Sequence, residues 1–253
     1  MTLKPSPTNP ITLIPARMAS TRLPGKPLAN IGGLPMIAQV LKRVEEAGSG
    51  PVFVAAGERE IVDAVEAAGG RAVMTGPDHP SGSDRIFEAL RAIDPNGAFD
   101  CVVNVQGDLP TLDPSLIRVA LDALATSGAD VSTPVAEITD PAERDDPNVV
   151  KAVVGFEDGR ASSPALYFTR AAAPGGDGPF YRHIGLYAYR REALARFAAS
   201  RPCVLERRER LEQLRALQNG MTIEAALVDA APLGVDTPED LEKAREILTC
   251  ERP

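Results

Sequence analysis

Three cations fall in one short loop: Arg17, Arg22 and Lys26 lie within Ile14-Pro15-Ala16-Arg17-Met18-Ala19-Ser20-Thr21-Arg22-Leu23-Pro24-Gly25-Lys26-Pro27, directly after an apolar, strand-like run. Such a cluster calls for an anion. Consecutive backbone N–H groups of a loop can wrap phosphate oxygens, while Lys and Arg offset the charge that builds on a departing pyrophosphate. The same residues also read as a solvated basic loop, and the loop alone does not choose between the two. Two other phosphate-binding patterns are excluded, because the chain has neither G-x-x-x-x-G-K-[ST] nor a G-x-G-x-x-G opening its first helix. It is neither a P-loop NTPase nor an ordinary dinucleotide-binding domain.

Two acidic positions could complement this loop. In Val103-Asn104-Val105-Gln106-Gly107-Asp108-Leu109-Pro110 an apolar strand ends in a Gln-Gly-Asp turn, which displays Asp108 at the strand's carboxyl end. That edge hosts the ligand crevice of open α/β sheets, and a lone carboxylate there suits Mg2+, which fills its other positions with phosphate and water. An Asp following a Gly also simply forms turns. In Leu233-Gly234-Val235-Asp236-Thr237-Pro238-Glu239-Asp240, Thr237 reads as an N-cap, Pro238 as the first helical residue and Asp240 as the partner completing a capping box. Asp236 precedes the cap and has no helical duty, so it is free to face the same crevice, although loops are rich in Asp for turn reasons alone. His79 and His183 lack Cys or His partners at ligand spacing, which argues against zinc. His183 sits in Tyr181-Arg182-His183-Ile184-Gly185-Leu186-Tyr187, where a core histidine and a substrate contact are equally good readings.

The chain as a whole bounds these possibilities. At 253 residues, 44% hydrophobic and 25% charged, it has the size of one globular domain with a substantial core. A formal charge of −8 and a pI near 5.0 disfavour nucleic acid and anionic membrane as partners, while a few basic residues in one loop still suit a small phosphate substrate. Cys101, Cys203 and Cys250 are odd in number and widely spaced, which fits a reducing compartment better than a disulfide framework. Cys101, in an apolar run, reads as a buried and inert thiol. No signal segment opens the chain and no apolar run approaches the roughly 18 residues of a membrane span. The expectation is a soluble, cytoplasmic protein.

The elements that must position these residues follow from periodicity. Apolar, β-branched runs at Ile11 to Ile14, Val52 to Ala55, Ala72 to Met74, Cys101 to Val105 and Val131 to Val135 predict buried strands. Helical periodicity falls between them, at Met36 to Ala47, Glu58 to Ala68, Asp84 to Ile93 and Pro114 to Ala125. The alternation predicts an α/β fold with a largely parallel sheet. Beyond about Ala136 the rhythm changes. Strands are expected at Val149 to Phe156 and Ile184 to Tyr189, a loop at Ala173 to Pro179, one helix from Leu205 to Gln218, a strand at Thr222 to Val228 and a last helix at Pro238 to Leu248.

I-P-A-R-x-x-S-T-R-L-P-G-K-P, N-V-Q-G-D, R-H-I-G-L-Y, L-E-Q-L-R and G-V-D-T-P-E-D, in that order, resemble the 3-deoxy-manno-octulosonate cytidylyltransferase family over nearly the whole chain, from Ile11 to about Leu248. The resemblance implies a single nucleotide-diphospho-sugar-transferase-like, Rossmann-like domain with a mainly parallel central sheet. Within it, about 10–135 would bind nucleotide, about 136–220 would form a smaller sugar-binding and dimerisation elaboration, and about 221–249 would close the fold. It implies a homodimer that uses CTP, Mg2+ and 3-deoxy-D-manno-octulosonate (Kdo), releasing CMP-Kdo and pyrophosphate and so activating the sugar for lipopolysaccharide synthesis. Residue by residue, Arg17, Ser20, Arg22 and Lys26 would contact the CTP phosphates, beside Pro15 and Ala16, with Arg17 and Lys26 nearest the reaction. Asp108 and Asp236 would hold Mg2+. Ser81, Gly82 and Arg85 would contact the cytidine, with Ala55 and Ala56 lining the base pocket. Gln106, Arg170, His183, Tyr187, Glu212 and Gln213 would bind the sugar acid, Gln106 also touching nucleotide. The chain departs from the family pattern at Leu109, where many relatives carry Glu, at Ser83, where Thr is commoner, and in the short, glycine-rich loop 171–180. That loop leaves open a different sugar acid, an amino-substituted octulosonate or an acylneuraminate. A non-catalytic nucleotide-binding dimer is the alternative from another class.

Overall fold

The computed structural model describes residues 5–20 and 22–250; Thr21 of the basic loop lies outside them. The chain divides into two compact units, one of Asn9–Arg118 with the residues from Pro232 onward, the other of Val119–Ala231 with the N-terminal residues up to Thr8. The first unit contains β1 (Pro10–Ala16), β2 (Asn30–Ile31), β3 (Leu34–Pro35), α1 (Met36–Glu46), β4 (Val52–Ala56), α2 (Arg59–Ala67), β5 (Ala72–Met74), α3 (Gly82–Ile93), β6 (Cys101–Val105) and the start of α4 (Ser115–Ser127). The second unit continues α4 and holds β7 (Val131–Glu137), α5 (Pro141–Asp145), β8 (Lys151–Val154), β9 (Ser162–Thr169), β10 (Tyr181–His183), β11 (Leu186–Arg190), α6 (Arg191–Ala199), α7 (Val204–Glu209), α8 (Gln213–Gln218) and β12 (Ile223–Val228). The chain then returns to the first unit for α9 (Pro238–Cys250).

In the first unit the strands run parallel in the order β6-β1-β4-β5. Ile11, Leu13 and Ile14 of β1, Val54 of β4 and Cys101 to Val105 of β6 are all fully buried, which is why these strands read as continuous apolar runs rather than alternating ones. Helices α1, α2 and α3 bury one apolar face each, through Ile37, Val40 and Leu41, through Ile61 and Val65, and through Ile86 and Leu90. Helix α9 packs Leu241, Ala244 and Leu248 against Ile31, Met36 and Val235. Each such buried Leu or Met side chain contributes roughly 1.5–3 kcal/mol. The start of α9 is fixed by the expected capping box: Thr237 N–H donates to Asp240 Oδ2 at 3.0 Å and Asp240 N–H to Thr237 Oγ1 at 3.2 Å.

The second unit, where the rhythm changes beyond about Ala136, is mostly antiparallel rather than mainly parallel. Only β7 and β12 pair in parallel; β12–β9, β9–β8, β8–β10, β10–β7 and β11–β7 are antiparallel. Strands such as β8 and β9 are joined by a short turn rather than a crossover helix, and a short turn permits only antiparallel pairing. Because β10 bonds to both β8 and β7, the pairings close a ring through β7, β12, β9, β8 and β10, which removes exposed strand edges. Strand β9 was not expected because Pro164 interrupts it and Leu166 points out at 70% exposure, so no apolar run marks it. The expected strand Ile184 to Tyr189 is β11, starting two residues later, and the short β10 just before it was not expected.

The helix expected at Leu205 to Gln218 is likewise two helices, because Arg210 adopts the left-handed conformation, with φ 57°, and ends α7. What turns α8 back is a buried ion pair. Arg215, 1% exposed, donates to both carboxylate oxygens of Glu206 at 2.6 and 2.9 Å, and its guanidinium carbon lies 4.3 Å from the Phe197 ring centroid. Glu206 also accepts from Cys203 N–H and so caps α7. Removing the carboxylate leaves a buried cation without its counter-charge. Glu206→Ala should therefore lower stability by about 3 kcal/mol in urea unfolding, whereas a loss under about 0.5 kcal/mol, the size of an ordinary surface change, would show that the pair does not hold α7 to α8.

Candidate active site

Within the first unit, the carboxyl ends of β1 and β6 lie side by side, since the strands are parallel neighbours. The loop after β1 carries Arg17, Ser20, Arg22 and Lys26; the loop after β6 carries Gln106 and Asp108. Gly107 permits their approach: a Cβ there would stand 2.9 Å from the Pro15 carbonyl oxygen, closer than a side chain can come. The segment before α9 is laced to the β6 loop. Val235 N–H donates to the Asp108 carbonyl at 2.9 Å, and Leu233 N–H donates to Thr111 Oγ1 at 3.1 Å. These bonds bring Asp236 beside Asp108.

The result is a three-way contact across the chain. Lys26 Nζ donates to Asp108 Oδ2 at 2.8 Å and to Asp236 Oδ1 at 2.9 Å, and Arg22 Nη2 meets Asp236 Oδ2 at 2.9 Å. Burial by itself pushes the Lys26 ammonium down, but the two carboxylates outweigh it and hold its pKa above the ordinary lysine value. Burial raises the Asp236 carboxyl, and the neighbouring Lys26 and Arg22 reverse this, leaving it below the usual carboxylate value. Both groups are charged at neutral pH.

Around this contact lies an open cavity of about 390 Å³. Of the residues expected to meet a nucleotide, Pro15, Ala16, Arg17, Ser20, Arg22 and Lys26 line it from the β1 side, Ser81, Gly82 and Arg85 from the α3 side, and Gln106 from the β6 side, together with Asp108 and Asp236. Four Arg or Lys residues face two Asp in that lining, so the cavity is locally cationic in a chain of formal charge −8. Ser81 caps α3, accepting from Asp84 N–H at 3.2 Å, so the helix's amino end adds to the positive field. Ala55 and Ala56 do not join the cavity lining: both are fully buried at the end of β4, where the Ala56 carbonyl accepts from Thr75 N–H and Oγ1. Arg85 is 2% exposed and burial lowers its pKa, its guanidinium being taken up by groups of the 75–77 loop.

In the second unit, two of the residues expected on the sugar side, His183 and Tyr187, meet in an aromatic group. The His183 ring lies 5.0 Å from Phe168 and 5.3 Å from Tyr187, centroid to centroid. His183 Nε2 and Gln213 Nε2 are buried with no hydrogen-bond partner among the described residues. Burial drives the His183 pKa down to about 3, so the ring is neutral. Burial and then the negative field of Glu212 push the Tyr187 phenol well above its ordinary value. Arg170 donates through Nε to the Glu209 carbonyl at 3.0 Å and through Nη1 to the Pro147 carbonyl at 2.8 Å.

Several site residues carry no motif of their own. Glu58 accepts from Met18 N–H at 2.9 Å and so tethers the basic loop at its first turn, yet in sequence it is only an acidic residue opening a helix. His79 lines the cavity and pairs with Glu88, an exposed-looking helical glutamate. For Glu88, its i, i+3 spacing from Arg85 on one helix face beside a Gly/Pro-rich loop was the available signal.

A family model described as Cytidylyltransferase matches residues 11–223. The chain is 65% identical over 240 residues to the 3-deoxy-manno-octulosonate cytidylyltransferase of Parvibaculum lavamentivorans, covering 95% of this chain and 93% of that protein. It is 63% identical over 239 residues to the protein of the same name in Paramagnetospirillum magneticum, covering 94% and 97%. A solved structure of CMP:2-keto-3-deoxy-manno-octonic acid synthetase complexed with CTP superposes with a TM-score of 0.88 at 36% identity, covering 97% of this chain and all of that one. A nucleotidyl transferase from Methanothermobacter thermautotroptrophicus, 15% identical with a TM-score of 0.63, shares the fold alone. With its basic loop, paired aspartates and matching relatives over nearly its full length, the chain belongs to the 3-deoxy-manno-octulosonate cytidylyltransferase family.

Proposed function

We propose that the chain transfers a cytidylyl group from CTP to Kdo, giving CMP-Kdo and pyrophosphate, the activated sugar then serving lipopolysaccharide synthesis. The observation that carries this reading is the meeting of Lys26, Asp108 and Asp236 at the floor of a cationic cavity. The anomeric hydroxyl attacks the α-phosphorus in line; its O–P bond forms as the α–β phosphoanhydride breaks, the proton passing to solvent and pyrophosphate leaving. No side-chain nucleophile is required, so the protein's share is positioning and charge stabilisation.

The donor set fits a divalent cation. Two carboxylates converge on one point, and an ammonium nitrogen within 2.9 Å of both already takes a cation's place there. Asp108 and Asp236 would hold Mg2+, which supplies neutralisation of phosphate charge and a lowered hydroxyl pKa when bound. Lys26, together with Arg17 and Arg22, would counter the charge on the leaving pyrophosphate. Ser81, Gly82, Arg85 and Gln106 frame the nucleoside. Ala55 and Ala56 support that wall from beneath rather than touching the base.

Arg170, His183, Tyr187, Glu212 and Gln213 take the sugar acid, with Gln106 as a further contact. The unpartnered, buried Nε2 atoms of His183 and Gln213 support this, because buried polar atoms without partners are costly unless a polar ligand meets them. A neutral His183 suits a sugar hydroxyl, leaving the carboxylate to the permanently charged Arg170. The enzyme is further read as a cytoplasmic homodimer; among the described residues no helix is long and apolar enough to cross a membrane.

Pyrophosphate release with CTP, Mg2+ and each sugar acid in turn tests the reaction. Release with Kdo is expected; release only with an acylneuraminate or an 8-amino octulosonate would redirect the substrate, and none at all would favour a binding protein. Asp108→Asn and Asp236→Asn should each lower kcat by about 10²-fold or more with folding intact, and near-normal turnover in saturating Mg2+ would remove that residue from the metal site. His183 also predicts a pH dependence. Its folded pKa of about 3 lies below the unfolded 6.5, so the unfolded chain binds the extra proton and stability falls as pH drops from about 6.5 toward 3. The slope should reach about 1.4 kcal/mol per pH unit and be smaller in His183→Gln; identical slopes in urea unfolding at pH 7 and 5 would contradict a buried neutral imidazole.

A further inference from the structure

The loop between β5 and α3, Thr75 to Pro80, forms one wall of the cavity through His79. Its two prolines, Pro77 and Pro80, restrict its backbone, and two side chains on one face of α3 hold it in place. Arg85 donates through Nη1 to Thr75 Oγ1 at 2.6 Å and to the Gly76 carbonyl at 2.9 Å, and through Nη2 to the Pro77 carbonyl at 3.1 Å. One turn further on, the Glu88 carboxylate accepts from Gly76 N–H at 3.1 and 3.3 Å and closes a short contact with His79 Nε2. Gly57 completes the arrangement from the far side: a Cβ there would meet Arg85 Nη1 at 3.0 Å, so the absence of a side chain leaves room for the guanidinium. Glu88 does not line the cavity, while His79 does and keeps 19% of its side chain exposed there.

We propose that His79 is a further nucleotide contact and that Glu88 is its positioning residue, holding the imidazole against the cavity while Arg85 holds the backbone of the same loop. The inference rests on the reading of this cavity as the CTP site. Arg85 then has a different part from that of a base-reading side chain. Its donors are directed into the 75–77 loop, and it shapes the wall on which His79 stands. His79 meets the nucleoside or the ribose side of CTP by a hydrogen bond or by ring contact, interactions made equally in the ground state and the transition state. Uniform binding of that kind appears in KM and not in kcat.

The test is a double-mutant cycle in the full chain, read by pyrophosphate release at saturating Kdo with CTP varied. Glu88→Ala and His79→Ala should each raise the KM for CTP about ten-fold with kcat within about two-fold, and the double variant should be no worse than either single one. Glu88→Gln, which can still accept from Gly76 N–H and pair with the ring, should restore a KM near that of the unaltered chain. Unchanged KM in His79→Ala, or effects of the two substitutions that multiply, would overturn the proposal; so would a loss confined to kcat. If Glu88→Ala fails to fold by circular dichroism, the KM of His79→Ala alone decides. Absence of any CTP-dependent release by the unaltered chain would instead defeat the functional reading itself, so the two failures are distinguishable.

Discussion

One ammonium group ties the active site together. Lys26 Nζ joins carboxylates 82 and 210 residues away in sequence, and each of the three groups requires the others. A lysine side chain only 15% exposed is costly to keep charged without counter-ions, and two aspartates facing one another would repel without a cation between them. The contact therefore does two jobs. It makes the site electrically self-consistent, and it holds in one place the three charges that the proposed reaction would use apart: two anions for a divalent cation and one cation for phosphate.

The rest of the first unit can be understood as what brings that contact about. Parallel pairing of β1 with β6 aligns the carboxyl ends from which Lys26 and Asp108 issue, and Gly107 allows the second loop to pass close under the first. Asp236 comes from the far end of the chain, and its approach depends on the apolar docking of α9, the capping box that starts that helix, and the two backbone bonds from Leu233 and Val235 to the β6 loop. Hydrophobic burial thus supplies the stability, and short polar links supply the register.

Much of this was legible in the sequence. The strands β1, β4 and β6 are buried and apolar, so composition alone marks them, and the helices between carry clear apolar faces; β5, expected to be buried, is a strand but a half-exposed one, with Met74 47% exposed. The chemistry was legible where a residue type is expensive to place without cause, as with three cations in one loop or an aspartate at a strand's carboxyl end. Legibility failed where tertiary contacts decide local structure. Nothing in Leu205 to Gln218 announces that Arg210 turns left-handed, because the Glu206–Arg215 ion pair that rewards the break forms only once α8 has folded back. Strand β9 holds a proline and an outward leucine, and it is a strand because β8 and β12 flank it. Ala55 and Ala56 are fully buried and outside the cavity lining, which spacing along the chain does not encode. Glu58 and Glu88, which bond to backbone N–H groups of two loops at the cavity, look in sequence like any solvated helical glutamate.

On the proposed function, Lys26 would leave the two carboxylates for phosphate when substrate binds. A crystal structure of the chain with CTP and Mg2+ would observe it directly. The expected result has Lys26 Nζ on phosphate oxygens and the divalent ion between Asp108 and Asp236; nucleotide bound in the cavity with Lys26 still bridging both carboxylates, and the ion elsewhere, would contradict it.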